Sequence, residues 1–187
     1  PNVVATASTT RVSYWCRRDD LERLSQELES AIERLRGTTA ASPERALRVL
    51  FCVLEDRNGD AALAELDAGP ARGHFAVEFY RHHAVAVALG RRGDADGALD
   101  HLRLAGSCGQ SAWVVHHTHR LIARAAMTDG WGDPVRWLGA AEPFFVARGD
   151  HEIAAACRRL LAEAGAPLPR RRRVEADVPA DLRAQGV

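Results

Sequence analysis

Residues 93–105 read Gly-Asp-Ala-Asp-Gly-Ala-Leu-Asp-His-Leu-Arg-Leu-Ala, and residues 59–64 read Gly-Asp-Ala-Ala-Leu-Ala. The two Gly-Asp pairs lie 93 − 59 = 34 residues apart, and Ala64 and Ala98 keep the same interval. Glycine permits the tight turn between two helices, a small residue lets the second helix approach the first, and Leu102 with Ala105 fills the space between neighbouring pairs. Gly149-Asp150 with Ala154 repeats the signature, and Gly132-Asp133-Pro134 repeats the turn without the alanine. These later pairs follow at intervals of 39 and 17, so the repeat is degenerate.

A period of 34 is the length of a tetratricopeptide helix pair. Outward from the repeat the periodicity is helical throughout. Leu21, Leu24, Leu28, Ile32 and Leu35 follow a start signal in which Asp19 caps with Glu22, and Gly37 ends the run. Ser42-Pro43-Glu44 opens the next helix, whose stripe is Leu47, Leu50, Phe51 and Leu54. The spacing predicts eight helices, over 19–36, 43–57, 60–68, 74–91, 94–105, 110–128, 134–148 and 150–164, the last seven belonging to the paired array. The expected fold is all-α, a tetratricopeptide-like right-handed superhelix of antiparallel helix hairpins over residues 19–165. An extended N-terminal segment, 1–18, precedes it, and a Pro/Arg-rich linker or tail, 166–187, follows.

Composition narrows the chemistry. The 187 residues carry 25 basic and 25 acidic side chains, and every basic one is arginine. Balanced charge argues against nucleic-acid binding by this region alone. With no lysine, a P-loop and a Schiff-base mechanism are excluded. Cys16, Cys52, Cys108 and Cys157 stand 36, 56 and 49 residues apart without a CxxC pair, which reads as reduced thiols. Residues 1–12 lack the apolar core of a secretory signal, and no stretch of about 18 apolar residues occurs. A soluble, cytoplasmic protein is therefore expected, and the start at Pro1 reads as a trimmed chain or a piece of a longer one.

Leu138-Gly139-Ala140-Ala141-Glu142, Gly165-Ala166-Pro167 with Pro169, and Val178-Pro179-x-x-Leu182-Arg183-x-x-Gly186-Val187 resemble the end of the helical-repeat region of large LuxR-type bacterial transcriptional regulators. The specific likeness covers residues 132–187. It implies an N-terminal ATP-binding module and a C-terminal helix-turn-helix DNA-binding domain flanking a sensor and oligomerisation region, and only that middle region is present here. Contact with DNA would then come through an attached domain, with Arg170 to Arg173 reading either as a solvated linker or as a phosphate contact.

Eight histidines raise a metal or catalytic reading, since His116 and His119 share a helix face. No HExxH, GxSxG, Cys-His pairing or carboxylate dyad accompanies them, so neither an enzyme nor a cofactor is expected. His82 and His116, like His83 and His117, are 34 apart and would stack in successive first helices. Counting back from Gly93, Tyr80, His83 and Arg91 face the concave groove, with His117 and Arg124 from the next unit and Asp56 and Arg57 from the preceding one. The expected result is a weakly basic groove suited to an acidic peptide or small anion, the alternative being ordinary solvated helix faces. His119 shares a stripe with Val115, Ile122 and Ala126 and reads as a core residue. Trp113, Trp131, Trp137, Phe144 and Phe145 read as packing residues. The functional expectation is a non-catalytic binding and oligomerisation module, either the sensor region of a LuxR-type regulator or a free-standing scaffold for an acidic peptide. Its partners would be a protein, a peptide or a small-molecule effector, with self-association through uncapped terminal hairpins and no membrane contact.

Overall fold

A computed structural model describes residues 2–36, 38 and 42–168, apart from the side chains of residues 2, 4 and 5. Among them are nine helices and no strand: α1 (Asn2–Arg18), α2 (Leu21–Arg34), α3 (Ser42–Leu54), α4 (Gly59–Ala68), α5 (Phe75–Arg91), α6 (Ala95–Gly106), α7 (Ala112–Asp129), α8 (Pro134–Arg148) and α9 (His151–Glu163). The fold is all-α. Eight helices lie within three residues of the ranges read from the sequence. Pro169, Arg170 to Arg173 and the Val178–Val187 motif fall outside the described residues.

The ninth helix is a correction, because α1 runs where an extended segment was expected. Thr, Ser and Val are indifferent helix formers, and only a sparse stripe marks the buried side: Ser8, Val12 and Cys16, four residues apart. What holds α1 is tertiary. Val12 and Cys16 share one core with Leu24 and Leu28 of α2, Leu47 and Leu50 of α3, Val87 of α5 and Ile122 of α7.

Neighbouring helices pair as hairpins, α1 with α2, α3 with α4, α5 with α6 and α7 with α8, and α9 packs on α8. First helices stack in turn, α3 on α5, α5 on α7 and α7 on α9, and α1 reaches α9 from the other end. This pairing is compatible with a superhelix of hairpins. A second core under α8 and α9 gathers Leu138, Phe145, Ile153, Cys157 and Leu161 with Ala123 of α7.

The 34-residue period is offset in space. Gly93 has φ of 82°, and Asp94 caps α6 by accepting a hydrogen bond from the Gly97 N–H at 2.9 Å. At the earlier pair, Asn58 takes the positive φ and the cap position, while Gly59 is already helical. A Cβ on Gly59 would stand 3.0 Å from the Val53 backbone, so the glycine there serves close approach rather than the turn. Measured between caps, the repeat is 94 − 58 = 36 residues. Ala62, packed on the core, is therefore the counterpart of buried Ala98, and Ala64 is exposed.

Candidate functional site

The cap of α2 begins the site. Asp20, not Asp19, accepts the hydrogen bond from the Arg23 N–H at 3.0 Å. Asp19 instead closes α1 in the left-handed region at φ 51°, a position that glycine usually fills. Its carboxylate meets Arg120 of α7 at 2.5 Å and Arg159 of α9 at 3.6 Å. Burial pushes its carboxyl above the ordinary aspartate value, with the Arg120 and Arg159 guanidiniums acting against that rise. A second aspartate is likewise diverted from a helix cap to an arginine. Asp150 occupies the cap of α9 without capping it, and accepts instead from Arg17 at 2.5 Å and from the Trp113 indole N–H at 2.9 Å. Arg17 also lies over the Trp113 ring at 5.4 Å, and Arg18 pairs with Glu152 at 3.1 Å. Together these contacts tie the end of α1 to α7 and α9.

Beside this seam lies a cavity of ≈ 430 Å³. Its apolar wall includes Leu21, Phe51, Leu54, Leu121, Ala125 and Leu160, and four arginines line it: Arg91, Arg120, Arg124 and Arg159. Two carboxylates, Glu55 and Asp129, also line it, and two more, Asp19 and Glu163, pair with its arginines from beside it, so each guanidinium already has an acidic partner. Arg91 is tied down: it donates to the carbonyls of Val53 and of Leu54, the latter at 2.7 Å, and stands 3.7 Å from Asp129. That contact caps the end of α3, where the Val53 carbonyl also accepts from the Asp56 N–H at 3.2 Å. Arg124 pairs with Glu163 at 3.0 Å and stays largely exposed. Arg120 is the least exposed of the four, and its buried Nε has no hydrogen-bond partner among the described residues.

The structure divides the expected groove residues. Arg91 and Arg124 meet in this cavity. His83 and His117 do not face any groove, being 1% and 2% exposed. The His83 ring contacts the Phe79 carbonyl oxygen at 2.8 Å, and His117 stacks on Trp113 at 5.0 Å. Burial pushes both down to about 3. The partner of the His83 ring across the helices is His119, 36 residues on, at 5.9 Å. Tyr80 packs against the core close to Cys16 and Glu44, and burial pushes its phenol up. The end of α1 and the start of α3 thus lie beside Tyr80, which was expected to be open. Asp56 and Arg57 are exposed at the end of α3, Asp56 in a separate depression with Asn58, Asp60 and Arg92, and Arg57 paired with Glu55. Asp19, Arg120 and Arg159 were not singled out from the sequence. Arg120 lies one helical turn before Arg124, but nothing in the spacing joins α1 to α9.

Trp131 and Phe145 are buried, while Trp113, Trp137 and Phe144 are partly buried, all of them packing as expected, and His119 stacks on Trp137 at 5.2 Å. Among the described residues no three His, Cys, Asp or Glu side chains are placed to hold a metal ion, and the four cysteines are unpaired. No helix among them is long and apolar enough to cross a membrane. Compared with protein-family models, curated proteins and solved structures, the chain matches none.

Proposed function

We propose that this chain is a non-catalytic binding and oligomerisation module that recognises a small anionic ligand in the four-arginine cavity, and that it serves in the cytoplasm as the sensor region of a LuxR-type transcriptional regulator. The observation that carries the ligand class is the convergence of Arg91, Arg120, Arg124 and Arg159 from α5, α7 and α9 on one partly apolar cavity. Guanidinium groups offer forked donors matched to carboxylate and phosphate oxygens. A volume of ≈ 430 Å³ suits a small molecule, and the burial of His83 and His117, expected to line an open groove, favours that over an extended acidic peptide.

The link to transcription rests on the resemblance, of which Leu138–Glu142 lies on α8. In this reading the ligand touches three first helices at once and so favours one stacking of the hairpins over another. Only differential affinity for two stackings would move an attached DNA-binding domain. The test is a thermal-shift and calorimetric series with citrate, succinate and inorganic phosphate. Citrate is expected to raise Tm in the wild type and to lose at least about tenfold in affinity in the Arg124→Ala/Arg159→Ala double variant, since each charge-assisted hydrogen bond contributes roughly 1.5–3 kcal/mol. Equal binding by wild type and double variant would rule the cavity out.

A further inference from the structure

We infer that Asp19 is a built-in occupant of the anion site, and that a small dianion, carboxylate or phosphate, competes with it for Arg120 and Arg159 and thereby loosens the α1–α2 hairpin from α7 and α9. The inference rests on the four-arginine reading and adds its regulation.

Two independent features single out Asp19. Its side chain is 6% exposed, yet it reaches two arginines that also line the cavity. Its pairing is incomplete, because Oδ1 of Asp19 and Nε of Arg120 are both buried without a hydrogen-bond partner. A buried ion pair with orphaned atoms on both sides returns little of what desolvation costs. A ligand oxyanion with two oxygens can engage the Nε and a terminal nitrogen of one guanidinium together, an arrangement that Asp19 does not achieve.

Displacement has a mechanical consequence. The Asp19 N–H donates to the Cys16 carbonyl at 3.2 Å, so the turn that carries the carboxylate also finishes α1. Releasing it removes two of the ties between α1 and the far end of the molecule, leaving the contacts of Arg17 with Asp150 and Arg18 with Glu152. Cys16 is 5% exposed in the core beneath this turn, and burial holds its thiol at about 12, so the closed hairpin protects it. The same thiol therefore reports opening.

The experiment measures two quantities on the full chain, calorimetric binding of inorganic phosphate and of succinate, and the rate at which an aromatic disulfide reagent labels Cys16, resolved from the other cysteines by peptide mass. Asp19→Asn removes the charge while keeping a residue that tolerates the left-handed region. The expected result is that at least one of the two anions speeds Cys16 labelling in the wild type about fivefold or more, and binds Asp19→Asn about tenfold more tightly than wild type. Which anion does so identifies the headgroup. Binding with an unchanged labelling rate and an unchanged affinity in Asp19→Asn would overturn the competition while leaving the four-arginine cavity standing. Failure of both anions to bind either protein would overturn both readings. If Asp19→Asn does not fold, the wild-type labelling rate alone decides.

Discussion

Acidification from pH 8 to pH 5 is expected to remove about 4 kcal/mol of folding stability through His83 and His117 alone. Both are buried, and both are held down to about 3 by desolvation, against an ordinary value of 6.5. A histidine with a depressed folded value is neutral in the native state and takes up a proton more readily once unfolded. Its contribution is therefore complete above 6.5 and is lost as pH falls from 6.5 toward the folded value. Each such group costs roughly 1.4 kcal/mol per pH unit in that window. His119, pushed to about 4 by burial, adds in the same direction, as do the partly exposed His82, His101 and His116. Asp19, raised by burial, opposes them, while Asp67 and Glu78 are lowered and titrate below this window. Against a typical total of about 5–15 kcal/mol the loss removes between about a quarter and most of the folding stability by roughly pH 5. Urea unfolding at the two pH values measures it, and equal stabilities would show that these rings are solvated in the native state.

The second large effect is expected at Trp131. It sits between Gly130 and Gly132, both at positive φ, and is 3% exposed. Its ring fills the space against Gly90 of α5, where a Cβ would stand only 2.3 Å from the indole. It also lies 6.0 Å from Trp137 of α8, so one side chain joins α5 to the α7–α8 hairpin. Trp131→Ala should cost about 3–5 kcal/mol, the range for emptying a large buried aromatic. The indole N–H is buried without an acceptor, and leaving such a donor unmet costs roughly 1–3 kcal/mol. Trp131→Phe should consequently retain most of the stability, at a loss well below that of the alanine. Chemical denaturation of the two variants checks the order, and a phenylalanine variant as unstable as the alanine would mean that the N–H has a partner.

Seven array helices and α2 were legible because their apolar residues recur at helical spacing and their ends carry Ser, Asp, Gly and Pro signals. Helix α1 was not, since its composition favours no helix and its buried stripe makes sense only against α2, α3 and α7. The repeat was legible in kind but not in register: the caps at Asn58 and Asp94 stand 36 residues apart rather than 34, and His83 and His117, read as groove residues, lie on the buried sides of α5 and α7. Arg91 and Arg124, placed in a concave groove by counting from Gly93, both line the cavity. The roles of Asp19 and Asp150 were not legible, because each carries the local signature of a cap, and local patterns cannot reveal that a carboxylate is diverted to an arginine more than a hundred residues away.

The central claim is that the anion site is the convergence of Arg91, Arg120, Arg124 and Arg159. Side-chain Nε–Hε resonances of the arginines, followed by NMR during a citrate titration, test it most directly. The account expects saturable shifts confined to these four residues, with Arg120 Nε–Hε moving furthest because it gains its first acceptor. Shifts spread evenly over the exposed arginines, or none at any of the four, would contradict it.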